Sequence, residues 1–108
     1  MKFNHFAVIF VADGIDPKVH RHTIKTNQVT YTTVGIDRLR KEEVLDIAKE
    51  LVANGVQIIE LCGGFGPIWI AKVTEAIKGK IPVGGVFYGP ECRQKLVDLG
   101  LTQTLHFD

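Results

Sequence analysis

The sequence predicts an α/β fold, a single (βα)4β domain over residues 1–108 with a mostly parallel sheet and three layers. Three observations predict it. Apolar runs of strand length recur at FAVIFVA, VQIIELC and IPVGGVFY. Stretches of helical period separate them, and the connections are short. Strands that alternate with helices in this way build a parallel sheet through right-handed crossovers. The flavodoxin-like order 2-1-3-4-5 is favoured because the second strand is polar enough for an edge. A half-barrel that completes itself by dimerising is the rival arrangement.

Residues 3–12 (FNHFAVIFVA) are apolar on both alternating faces, with Phe6, Val8 and Phe10 on one and Ala7, Ile9 and Val11 on the other, the pattern of a central strand covered on both sides. Asp13 and Gly14 end it. Asp16 is a good N-cap and Pro17 a good first helical residue, so a short helix is expected to about residue 25. Residues 28–36 (QVTYTTVGI) mix β-branched residues with threonines, as an edge or half-exposed strand does. A helix over residues 40–53 gathers Val44, Ile47, Ala48, Leu51 and Val52 on one stripe, and Asn54-Gly55 stops it.

The buried strand over residues 56–62 (VQIIELC) empties into Gly63, Gly64, Phe65 and Gly66, and Pro67 opens a helix to about residue 78. A fourth strand over residues 81–88 and a third helix over residues 90–99 follow. LTQTLHF, residues 101–107, can add a fifth strand at the sheet edge.

Charge and composition narrow the partners. Thirteen basic against twelve acidic side chains give a net charge of +1, so there is no broad field to attract nucleic acid. The apolar opening is too short to span a bilayer, which argues against a membrane partner and for a cytoplasmic protein. The two cysteines, Cys62 and Cys92, share no CxxC spacing and read as free thiols. The charge cluster DRLRKEE, residues 37–43, reads as a solvated helix face.

In open parallel sheets ligands bind beyond the carboxyl ends of the strands. That rule gathers Asp13 and His20 from the first connection, Arg38 from the second strand, and Glu60, Cys62 and the glycine turn from the third. Tyr88 comes from the fourth. A carboxylate on the same strand face as Ile58 and Val56 is expected to be partly desolvated, which would suit Glu60 to proton transfer; pairing or solvent contact at the strand end is the alternative reading. Cys62 stands before a helix N-terminus, which can favour a thiolate; it also reads as a small buried hydrophobe.

The amides of Gly63, Gly64, Phe65 and Gly66 can cradle an anion at the start of the helix, or can simply form a tight turn. His20 and His22 lie two residues apart, too divergent on a helix to chelate together, so no metal site is assigned. No residue pattern names a cofactor. Trp69 and Phe65 can wall a pocket or pack in the core.

The order FAVIFVADGIDPKVHRH, VTYTTVGI, IIELCGGFGP, IPVGGVFYG resembles a family of short uncharacterised bacterial proteins that carries only a domain of unknown function. The most specific pieces are ELCGGFGP, residues 60–67, and DPxxHR, residues 16–21. The resemblance implies a small stand-alone cytoplasmic α/β protein and brings no activity, substrate or catalytic assignment. Three functions are therefore expected in order. The first is binding of a small anionic metabolite on residues 63–66, with Asp13, His20 and Arg38. The second is an isomerase, lyase or hydrolase using Glu60, Tyr88 and Cys62. The third is a homo-oligomeric interaction protein.

Overall fold

β1 (His5–Ala12) is the central strand of a five-stranded sheet ordered β2-β3-β1-β4-β5, with β2 at Arg21–Lys25, β3 at Thr30–Asp37, β4 at Ile58–Leu61 and β5 at Val83–Gly85. The computed structural model describes residues 2–101. β1 runs parallel to β3 and β4, and β4 parallel to β5. The parallel strands thus follow the expected order, with the chain crossing from β3 over β1 to β4. Of the expected fifth strand, all but Leu101 lies outside the described residues.

The fifth member of the sheet is β2, which pairs antiparallel with β3 in the stretch expected to be helical. Asp16 does cap a turn there: its carboxylate accepts from the Lys18 N–H at 2.9 Å, and its carbonyl accepts from Val19 and His20. The turn lasts one cycle. Beyond it, extended backbone satisfies the edge of β3 along a five-residue register, which a helix could not do. Thr26 closes the hairpin by accepting the Gln28 and Val29 N–H groups on its hydroxyl. The polar second strand of the sequence, now β3, is therefore interior to the sheet.

Among the described residues three helices complete the fold: α1 (Glu43–Ala53), α2 (Gly66–Ala76) and α3 (Arg93–Asp98). The apolar stripe of α1 (Val44, Ile47, Ala48, Leu51) and Trp69 and Val73 of α2 pack on Ala7, Ile9, Val34, Ile36, Ile59 and Leu61 in one core. These strand residues share one face of the sheet. Phe65 and Trp69 belong to this core, with rings in an edge-on contact at 6.5 Å, and the Lys72 ammonium stands over the indole. Core packing is thus what the two aromatic side chains do.

The opposite face carries Phe6, Val8, Phe10, Tyr31, Thr33 and Ile58, all half-buried, and Glu60, which is exposed. None of its apolar residues packs against the core, and α3 buries no residue. The layering therefore departs from the three layers expected: α1 and α2 share one side, and among the described residues no helix forms a layer on the other. The double-sided apolar pattern of β1 misled here. Where Gly35 lies under Ile15 and Phe10, that face is covered by the connection from β1 to β2; a side chain at Gly35 would meet the Phe10 ring at 2.6 Å. Among the described residues no helix is long and apolar enough to cross a membrane.

Candidate functional site

The carboxyl ends of β1, β3 and β4 open on a cavity of about 490 Å³ lined by Val11, Ala12, Asp13, Arg38, Lys41, Gly64 and Leu101. Each side chain reaches it for a local reason. Asp37 ends β3 and caps the short turn Arg38–Arg40 by accepting the Leu39 N–H at 3.0 Å, which turns Arg38 back over the end of β1. There its Nε donates to Asp13 Oδ1 at 2.8 Å. This pair is open to water, with side-chain exposures of 39% and 76%.

Lys41 follows that turn and is only 5% exposed, although it lines the cavity. A lysine this buried is uncommon, because removing an ammonium from water is costly unless a compensating group is close. The sequence reading placed it on a solvated face. Nothing in DRLRKEE distinguishes Lys41 from its neighbours; its burial follows from the turn that Asp37 imposes immediately before α1.

The glycine turn supplies the other wall. Gly64 lines the cavity against Val11, and Gly66 at the start of α2 has φ of 78°, a left-handed conformation that glycine adopts at little cost. The Phe65 N–H donates to the Cys62 carbonyl at 3.1 Å and so closes the turn, while the Phe65 ring is buried in the core. Phe65 therefore shapes the turn and presents neither ring nor amide to the cavity. Gly63 lies beneath the Tyr88 ring, whose Cε2 would be 3.0 Å from a side chain added there.

The structure thus brings Asp13, Arg38 and Gly64 together, adds Lys41, and sets Gly63 and Tyr88 on the β5 side of the same turn. It does not bring Glu60 in. Glu60 is exposed on the uncovered face, level with Val8 of β1 and Gly84 of β5, whereas the cavity adjoins the helix-covered side. The desolvated carboxylate expected from Ile58 and Val56 is not formed: Ile58 shares the open face and is only half-buried, and Val56, which precedes β4, lies in the core.

Cys62 is half-buried against the core, and its Sγ accepts the Val11 N–H at 3.3 Å, so it serves as part of the β1 to β4 junction. His20 accepts the Asp16 N–H on Nδ1 at 2.9 Å and organises the connection before β2, away from the cavity lining. Among the described residues no group of three or more His, Cys, Asp or Glu is placed to hold a metal ion.

A cleft of about 400 Å³ lies at the far ends of α1 and α2, among Lys49, Lys78 and Lys80. Its lysines are all exposed. Solvent screens them, so the fixed, buried cation of the strand-end cavity makes that cavity the better candidate.

A family model described as a family of unknown function (DUF6506) matches residues 4–100. No curated protein and no solved structure matches the chain.

Proposed function

We propose that the chain, which belongs to the DUF6506 family of unknown function, binds a small anionic metabolite in the cavity at the carboxyl ends of β1, β3 and β4. One observation carries this reading: Lys41, a buried cation, lines a cavity whose opposite wall is the Gly64 turn leading into α2. A phosphate or carboxylate there meets an ammonium shielded from bulk water, the Arg38 guanidinium at the rim, and the positive end of a helix. Asp13 opposes the anion and holds Arg38 in place, so it tunes affinity downward while fixing geometry. The volume suits a metabolite of modest size.

The catalytic reading drew its proton-transfer group from Glu60, and the position of Glu60 on the other face removes that group from this cavity. A cytoplasmic setting accords with Cys62 and Cys92 as free thiols.

Thermal denaturation in the presence of inorganic phosphate, citrate or malonate tests the proposal. At ten times the dissociation constant, linkage gives about 1.4 kcal/mol, or a rise of roughly 6–10 °C for a domain of this size. An unchanged melting temperature with all three anions at tens of millimolar would count against the site.

A further inference from the structure

We propose that the uncovered sheet face is the interface of a two-fold homodimer, with β1 of one copy packed across β1 of the other. The face has the composition of an interface core: Phe6, Val8, Tyr31 and Ile58 are half-buried, Ile24 is half exposed, and none of them packs against the helix-side core. Phe6 and Tyr31 already form an edge-on ring pair at 4.8 Å in the middle of it.

The argument for a second copy is the pattern across the strands. The registers place His22, Thr33, Val8, Glu60 and Gly84 in one row, from β2 at one edge to β5 at the other. The next row is Ile24, Tyr31, Phe6 and Ile58. A two-fold axis lying along β1 keeps Val8 and Phe6 on the axis, lays β4 over the β3 of the other copy, and lays β5 over its β2.

Tyr31 then covers an isoleucine, and Glu60 meets a threonine hydroxyl. The imidazole at the β2 edge falls opposite Gly84, which has no side chain to exclude it and leaves it free to lean toward the carboxylate. The row is self-complementary: acid on one side of the axis, imidazole and hydroxyl on the other. That is what an isologous contact requires.

The size is adequate. Five strands at about 4.8 Å spacing are roughly 24 Å across, and the eight-residue strands β1 and β3 are roughly 26 Å long. After allowance for the shorter strands and for the end at Phe10 and Gly35 that the β1 to β2 connection covers, the projected patch is on the order of 400 Å². Side-chain relief brings it to the low end of the roughly 600–1,000 Å² per partner of specific complexes. Two sheets packed face to face at about 10 Å, with helices outside, would cover the face that the described residues leave open. The cavity beside Lys41 adjoins the helix side of the sheet, so this inference is independent of the anion site.

Sedimentation equilibrium at tens of micromolar is the first test, and the expected species is twice the 12.0 kDa chain, about 24 kDa. Val8→Cys sets two thiols facing each other across the axis between backbones about 10 Å apart, too far for a disulfide but within reach of a short bis-maleimide, which is expected to give a covalent dimer that the wild type, with its own two cysteines, does not give. Glu60→Lys changes a solvent-exposed side chain and keeps the fold; it is expected to weaken the dimer more than tenfold because the carboxylate that faces the hydroxyl and the imidazole of the other copy is lost. A species of 12 kDa at these concentrations overturns the proposal. So does a dimer that Glu60→Lys leaves unchanged and Val8→Cys does not cross-link, since its interface would lie elsewhere.

Discussion

Replacing Lys41 with methionine keeps the length and apolar stem of the side chain and removes its charge. Its backbone carbonyl still accepts the Val44 N–H at 2.9 Å, so the start of α1 is preserved. The consequence for anion binding follows from burial. An ammonium and a monoanion about 4 Å apart attract by about 4 kcal/mol at an effective dielectric constant near 20, and this is an upper bound because the anion must shed water. A charge-assisted hydrogen bond in such surroundings has a net worth of about 1.5–3 kcal/mol. The expected loss of affinity is therefore about 10- to 150-fold.

Arg38 provides the internal comparison. Its side chain is 39% exposed, so screening limits its contribution to less than about 1 kcal/mol, and Arg38→Gln should weaken binding by no more than about fivefold. Isothermal titration with inorganic phosphate measures both variants, with circular dichroism as the check on folding. If folded Lys41→Met binds phosphate as tightly as the wild type, or if Arg38→Gln costs more than Lys41→Met, the assignment of the buried cation to the ligand is refuted.

Three further outcomes are expected. Asp13→Asn removes the one acidic side chain among the described residues that line the cavity and should raise phosphate affinity about two- to fivefold in the same titration. Gly66→Ala places a side chain on a residue with φ of 78° and should cost about 1–2 kcal/mol, read as a fall in melting temperature of roughly 4–10 °C. Cys62→Ala leaves the Val11 N–H without its sulfur acceptor and should cost about 1 kcal/mol in urea denaturation, while Cys62→Ser, which restores an acceptor, should recover part of it.

What the sequence made legible was whatever depends on local period and punctuation. The stripe of α1, its Asn54-Gly55 stop, and the strand-to-helix bend at Gly63 to Pro67 are all formed where the pattern puts them. The failures share a physical cause: the deciding partner is remote in sequence. Asp16 and Pro17 signal a helical turn truthfully, yet the unpaired edge of β3 claims residues 21–25 for a ladder. Both faces of β1 read as buried because Phe6, Val8 and Phe10 are as apolar as Ala7 and Ile9, and only the location of α1 and α2 on one side separates them.

Glu60 followed from that error, since a strand covered on both faces would have desolvated it. Lys41 was hidden for the opposite reason. It sits in the most polar stretch of the chain, and its burial is produced by the fold around the Asp37 cap. Of the residues that line the candidate site, the sequence therefore singled out Asp13, Arg38 and the glycine turn and passed over Lys41.

The central claim is that an anion occupies the space between Lys41 and Gly64, and the most direct measurement is a phosphate titration of uniformly ¹⁵N-labelled protein followed by amide chemical shifts. The account predicts saturable shifts at Gly64, Arg38, Lys41 and Asp13, with Glu60 and Val8 on the far face unmoved. Shifts confined to the Glu60 face, or to the exposed lysines 49, 78 and 80, or no saturation at any residue, would contradict it.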